Sequence, residues 1–119
     1  FSADQRMSWI RAVYEHEPKI EVAVYEGLTV DFCKKIGARY ILRGIRYVSD
    51  FEYEKSIAGM NRVLDGSIET VFLTCSPEFS TVASTLVRDV LRNGGDASPF
   101  LPRPVIESIQ VGLHKTEGW

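Results

Sequence analysis

Two arginines, Arg43 and Arg46, stand three positions apart with only Gly44 and Ile45 between them. Guanidinium groups at that spacing can grip phosphate oxygens, because each is a planar fork of N–H donors. The competing reading is a pair of surface arginines tied to Asp50, Glu52 or Glu54 just downstream. A second anion-friendly stretch is Phe79-Ser-Thr-Val-Ala-Ser-Thr85. There Ser80, Thr81, Ser84 and Thr85 gather where a loop is expected to become a helix. Free N–H groups and the dipole at a helix start favour anions. Ser and Thr also cap helices routinely, with no ligand involved. Glu54 falls in the first turn of a predicted helix, where a carboxylate is favoured anyway. His16, between Glu15 and Glu17, and His114, near the C-terminus, are weak candidates for catalysis. No spacing forms a catalytic triad, a zinc site or a P-loop, so no metal ligands are expected. Cys33 and Cys75 read as reduced and buried.

The elements that would position these groups alternate between helix and strand. Ser2-Ala-Asp-Gln5 reads as a capping box. It opens a helix over Ala3 to Glu15 with Met7, Ile10, Val13 and Tyr14 on one face, ended by Pro18. Ile20 to Tyr25 reads as a strand. Thr29 caps a helix through Lys35, and Gly37 stops it. Arg39 to Arg43 is a short, apolar, parallel strand broken by Gly44. Ser49-Asp-Phe-Glu52 is a second capping box. Its helix reaches Leu64, with Tyr53, Ile57, Met60 and Leu64 as the inner stripe. Glu69 to Thr74 is the third strand, followed by a loop over Cys75 to Ser80. A helix over Ala83 to Asn93 packs Leu86, Val87, Val90 and Leu91 inward. A last helix spans Val105 to Val111, and residues 112–119 form a flexible tail.

This order gives an α/β fold: a Rossmann-like parallel sheet with helices on both faces, of the doubly wound kind. Right-handed crossovers put the strand C-termini on one edge, near Tyr25, Arg43 and Thr74. Ligands of such folds bind outside those ends. Two anion-friendly stretches on one edge favour a phosphate-rich ligand.

The 119 residues are 45% hydrophobic and 25% charged, which suits one soluble domain over residues 1–119. A net charge of −2 argues against a general nucleic-acid binder. The local cluster of Arg39, Arg43 and Arg46 suits a small anion instead. No apolar run approaches the ~18 residues of a membrane span. With no signal peptide in the pattern, the simplest location is the cytoplasm. Phe1 stands one residue before a helix cap, so a preceding segment is expected and the domain reads as N-terminally incomplete.

The run from Arg43 to Glu54, RGIRYVSDFEYE, continues to Met60-Asn-Arg62. It resembles the signature of bacterial phosphopantetheine adenylyltransferases: an R-G-hydrophobic-R loop, then D-[FY]-E-Y-E, then a helix with M/I-N-R. The strand ETVFLT, the Ser/Thr-rich helix start before Leu86-Val87-Arg88, Gly95-Asp-Ala-Ser98 and Phe100-Leu-Pro102 agree with it. The similarity runs from Phe1 to about Val111. It implies a nucleotidyltransferase that moves an adenylyl group from ATP to 4′-phosphopantetheine, with Mg²⁺ on the phosphates. The products would be dephospho-coenzyme A and pyrophosphate. By resemblance, Gly44, Ile45 and Arg46 contact ATP, with Arg46 the catalytic group on its phosphates. Glu54 meets the nucleotide near its ribose, and Phe79, Ser80, Thr81, Val82, Ala83, Ser84 and Thr85 wrap it. Arg43 and Thr29 meet phosphopantetheine. The family also implies a homo-oligomer, a hexamer built from trimers.

Two departures qualify the resemblance. Where the family has three serines this chain has Ala83, Ser84 and Thr85, which removes one hydroxyl but no backbone donor. The family's T/S-F-D-P loop and H-x-G-H motif do not occur in these residues, and neither His16 nor His114 stands in such a context. By family topology the strands in that missing region form the middle of the sheet. Ile20 to Tyr25 would then lack its neighbour, and a chain of these residues alone is expected to be inactive. The alternatives are another nucleotidyltransferase of this fold, acting on nicotinamide mononucleotide or a cytidylyl group, and a non-catalytic assembly or binding fragment.

Overall fold

The computed structural model describes residues 1–116, and side chains as far as Val111. The elements are α1 (Ala3–Val13), α2 (Thr29–Ile36), β1 (Tyr40–Ile45), α3 (Val48–Leu64), β2 (Glu69–Thr74), α4 (Ser84–Arg92) and α5 (Arg103–Thr116). They fall into two compact units. One is Tyr25–Thr81; the other joins Phe1–Val24 to the residues from Val82 on.

The first unit holds the sheet. β1 and β2 pair in parallel, from Tyr40 opposite Glu69 to Ile45 opposite Thr74. Period-2 alternation sorts their side chains. Ile41, Arg43 and Ile45, with Thr70 and Phe72, face the helices. Phe51 of α3 meets Phe72 edge-on at 5.7 Å. Val30, Cys33 and Ile68 form the buried centre, with Ala38 and Ile41 packed against it. α2 and α3 thus lie on the same face of the strand pair. The opposite face carries Tyr40, Leu42, Val71 and Leu73, which are 68%, 63%, 42% and 57% exposed. The α/β class holds, with a parallel sheet flanked by helices.

Several local expectations change. Ile20 to Tyr25 is not a strand. A strand exists only through its ladder, and this segment has none among the described residues. Gly44 does not break β1: the ladder runs on through Ile45, whose carbonyl accepts the Cys75 N–H at 2.9 Å. The reason is that an extended glycine pairs like any residue when the partner strand continues. α3 starts at Val48 with Tyr47 as N-cap, so Ser49 is not the cap. Thr29 is likewise the first helical residue of α2, and Leu28 precedes it as N-cap. Gly37 does end α2: it is left-handed, with φ 73°, and its N–H reaches back to Lys34.

The inner stripe of α3 also differs. Tyr53, Met60 and Leu64 are exposed, while Asp50, Glu54, Ile57, Ala58 and Asn61 are half-buried toward the strands. Two stripes of one helix competed, and the one that satisfies the arginines won. An ion pair between Lys34 and Asp65 at 3.2 Å joins α2 to the end of α3. Another joins Arg62 to Glu69.

The second unit is helical. Ser2 and Gln5 form the predicted capping box, with bonds of 2.9 and 3.1 Å. The Trp9 indole donates to Ser108 Oγ at 2.8 Å and ties α1 to α5. Met7 and Val13 are half-buried as predicted, while Ile10 and Tyr14 are exposed. In α4, Val87 is buried and Val90 and Leu91 half-buried, but Leu86 is 58% exposed. α4 ends at Arg92, Gly94 turns the chain in the left-handed region with φ 71°, and a Cβ at Gly95 would stand 2.9 Å from Val90 Cγ1. α5 begins at Arg103 and continues to Thr116, past the end expected near Val111. The rest of the expected tail, residues 117–119, lies outside the described residues. No described helix is long and apolar enough to cross a membrane.

Candidate functional site

The carboxyl end of β1 builds the site. Arg43 leaves the strand toward α3 and meets Glu54 with two parallel bonds. Nε donates to Oε2 at 2.8 Å and Nη2 to Oε1 at 2.6 Å. The Glu54 side chain is only 12% exposed, against 51% for Arg43. The Arg43 hydrogen bonds hold the Glu54 carboxyl below the usual glutamate range. They likewise hold Arg43 above its own usual value. Arg46 stands three residues further along the chain and pairs with Asp50, Nε to Oδ2, at 3.3 Å. The Asp50 carboxyl is lowered chiefly by the Arg46 backbone N–H, with the Tyr47 N–H and the Arg46 side chain adding to it. Gly44, Arg46, Ser49, Asp50, Tyr53 and Glu54 line one concave surface.

Thr29 sits close by in the same unit. Its hydroxyl lies 2.8 Å from the Tyr25 hydroxyl, and Tyr25 stacks on Phe32 with ring centres 4.4 Å apart. Tyr25 and Tyr53 both stand near Arg43. The structure therefore gathers Thr29, Arg43, Gly44, Ile45, Arg46 and Glu54 in one unit, although Ile45 itself is buried. Arg39 does not join them. It precedes β1 at the strand's other end, about 13 Å from Arg43 and about 23 Å from Arg46 at the rise of an extended chain.

The Ser/Thr stretch divides. Phe79, Ser80 and Thr81 belong to the unit of the arginines. Phe79 ends a 3₁₀ turn over Pro77–Phe79, and Ser80 Oγ donates to the Pro77 carbonyl at 2.8 Å. Val82, Ala83, Ser84 and Thr85 belong to the other unit. Ala83 is the N-cap of α4 and has no side-chain oxygen to cap with. Ser84 and Thr85 open the helix and are exposed. His16 is exposed beside Glu15, at 3.1 Å, and His114 lies beyond the described side chains.

The sequence offers Asp50 only as a surface partner or part of a capping box, Ser49 as a helix cap and Tyr53 as part of an inner stripe, with no role in a site for any of them. The signal for Asp50 was its position four after Arg46, just inside a helix start. Both readings of the arginines meet here: they are paired, and they are gathered on one edge. Among the described residues, no three His, Cys, Asp or Glu side chains group so as to hold a metal ion.

One consequence follows from Arg43 and Glu54. A carboxylate with a lowered folded-state pKa stabilises the fold above its unfolded value. That contribution is lost as the pH falls through the lowered value. The full-length protein should therefore lose stability on the acid side of the usual glutamate range. Glu54→Gln should flatten that part of the profile. Urea unfolding from about pH 6 down to about pH 3 measures it. Equal slopes in both proteins would mean that the pair stabilises nothing.

Residues 1–90 match the cytidylyltransferase-like family. The chain is 50% identical over 105 residues to the phosphopantetheine adenylyltransferase of Flavobacterium psychrophilum, which covers 88% of this chain and 69% of that protein. It is 42% identical over 109 residues to the enzyme of that name from Lachnoclostridium phytofermentans, covering 92% and 67%. With the Bacteroides fragilis enzyme it shares 47% over 103 residues, covering 87% and 68%. The chain thus spans about two thirds of the length of these relatives.

Proposed function

This chain belongs to the phosphopantetheine adenylyltransferases of the cytidylyltransferase-like family, and on that premise we propose that Arg43 to Glu54 form the phosphate-gripping edge of the adenylyl-transfer site. The reaction is adenylyl transfer from ATP to 4′-phosphopantetheine, a step of coenzyme A synthesis. A phosphate oxygen of phosphopantetheine attacks the α-phosphorus of ATP. The bond from that phosphorus to the bridging oxygen of the β-phosphate breaks, and pyrophosphate leaves with the electron pair.

The single observation that carries the assignment of roles is the pair of ion pairs along one strand end. Arg43 is held by Glu54 and Arg46 by Asp50, the two arginines standing three residues apart on β1 and its exit. Such an arrangement lets one guanidinium take the acceptor phosphate and the other the ATP phosphates. Thr29 accompanies Arg43 on the acceptor side. Gly44 and Ile45 bring backbone close to the nucleotide, Glu54 takes a ribose hydroxyl, and Phe79, Ser80 and Thr81 of the same unit meet the nucleotide. The protein's contribution is alignment and charge stabilisation, with no covalent intermediate on the enzyme.

Mg²⁺ enters with ATP as part of the substrate, held by phosphate oxygens. The donor set on this edge, arginines paired to carboxylates, suits phosphate better than a bare cation. We place the reaction in the cytoplasm. Assembly into a homo-hexamer is supported by apolar residues left outward on α3: Val48, Met60 and Val63 are 77%, 69% and 88% exposed.

The test is pyrophosphate release by the full-length protein from ATP and 4′-phosphopantetheine, with nicotinamide mononucleotide as competing acceptor. Turnover with phosphopantetheine alone is expected. Preference for the mononucleotide would overturn the acceptor assignment.

A further inference from the structure

Asp50 stands where α3 begins, and a single oxygen of its carboxylate gathers three donors. Oδ2 accepts the Arg46 backbone N–H at 3.0 Å, the Tyr47 backbone N–H at 3.3 Å and Arg46 Nε at 3.3 Å. The first two bonds are those of a helix cap, which satisfies N–H groups left over at a helix start. The third is not needed for a cap. It ties the Arg46 guanidinium to the same atom that fixes the Arg46 backbone. Arg46 also stacks beside its neighbour, 5.7 Å from the Tyr47 ring centre. Both partners remain partly accessible, at 34% and 26% of their side chains, and both line the concave surface with Gly44 and Glu54.

A long arginine side chain gives up rotamer freedom to bind a ligand, and a side chain already held loses less. We propose that Asp50 is a positioning residue: it holds the Arg46 guanidinium, through Nε, in the orientation that receives the polyphosphate of ATP. This rests on the functional reading above. The sign of its effect separates it from two simpler roles. Asp50 carries a negative charge beside a site for an anion, so a pure field effect makes its neutralisation tighten ATP binding. A pure cap leaves ATP binding unchanged if the replacement keeps an oxygen acceptor. Positioning makes ATP binding weaker.

Asp50→Asn is the informative variant, because the amide oxygen can still accept both backbone N–H groups while the negative charge that holds the Arg46 guanidinium is gone. In the full-length protein, ATP affinity by titration calorimetry should fall about tenfold, as for the loss of one charge-assisted contact. The KM for phosphopantetheine should change far less than the KM for ATP. In an Arg46→Ala background the same replacement should have almost no further effect on ATP, because Asp50 acts through Arg46. Unchanged or tighter ATP binding by Asp50→Asn would overturn the proposal. So would a loss that adds in full to that of Arg46→Ala, or equally weak binding in every form. Arg46-dependent ATP binding with turnover of a different acceptor would sink the functional reading and leave Asp50 standing. Normal turnover of phosphopantetheine with an indifferent Asp50→Asn would do the reverse.

Discussion

Replacing Arg46 by alanine in the full-length enzyme is expected to lower kcat/KM by about ten- to a few hundred-fold. The reason is local. Arg46 stands just past the end of β1, where the chain leaves the sheet, and its side chain is 34% exposed. A guanidinium there would make charge-assisted bonds to phosphate under the proposed role, each worth roughly 1.5–3 kcal/mol when one partner is charged. If those bonds strengthen as charge moves onto the leaving pyrophosphate, the loss falls on kcat. If they are equal in the bound and reacting states, it falls on KM. Arg46→Lys should recover only part of the rate, since a point charge cannot make the planar two-pronged contact. Stability should hardly move, because a partly exposed ion pair with Asp50 contributes little to folding. An unchanged kcat/KM for Arg46→Ala would reduce Arg46 to a surface charge.

Where sequence and structure agree, the reason is periodicity or punctuation. The Ser2 cap, the Gly37 stop, β2 and the length of α3 follow from residues that act within one turn of themselves. The two arginines were legible because their spacing around a glycine at a strand end is itself chemical information. What stayed hidden depends on neighbours distant in sequence. Ile20 to Tyr25 has strand composition, yet a strand needs a ladder. Tyr53, Met60 and Leu64 form a plausible inner stripe, but Glu54 at 12% exposure turns the helix so that Arg43 is satisfied. Asp50 escaped because its role depends on which residue starts α3. Two positions separate the predicted cap at Ser49 from the observed cap at Tyr47. That shift moves Asp50 from the first to the third helical position, from which its carboxylate reaches back to Arg46 and Tyr47.

A polypeptide consisting only of Phe1 to Trp119 should turn over at least about a hundredfold more slowly than the full-length enzyme, as expected when transition-state donors are removed. Two independent deficits act on it. Its sequence holds no H-x-G-H, and His16, exposed beside Glu15, stands in no such motif. Its sheet is also marginal: two parallel strands with helices on one face. Leu42 and Leu73 remain more than half exposed on the other face. Each strand of such a pair is an edge, and two-stranded sheets are barely stable without further packing. The same segment that would supply the motif would also, by family topology, supply the neighbour for Ile20 to Tyr25. Side-by-side pyrophosphate assays, with circular dichroism and light scattering on both samples, separate the two deficits. A folded, monodisperse polypeptide without turnover would assign the loss to the missing histidines. An aggregating one would assign it to the uncovered sheet. Turnover close to that of the full-length enzyme would show that Arg43, Arg46 and the Ser/Thr stretch suffice for the chemistry, and the division of labour argued here would fall.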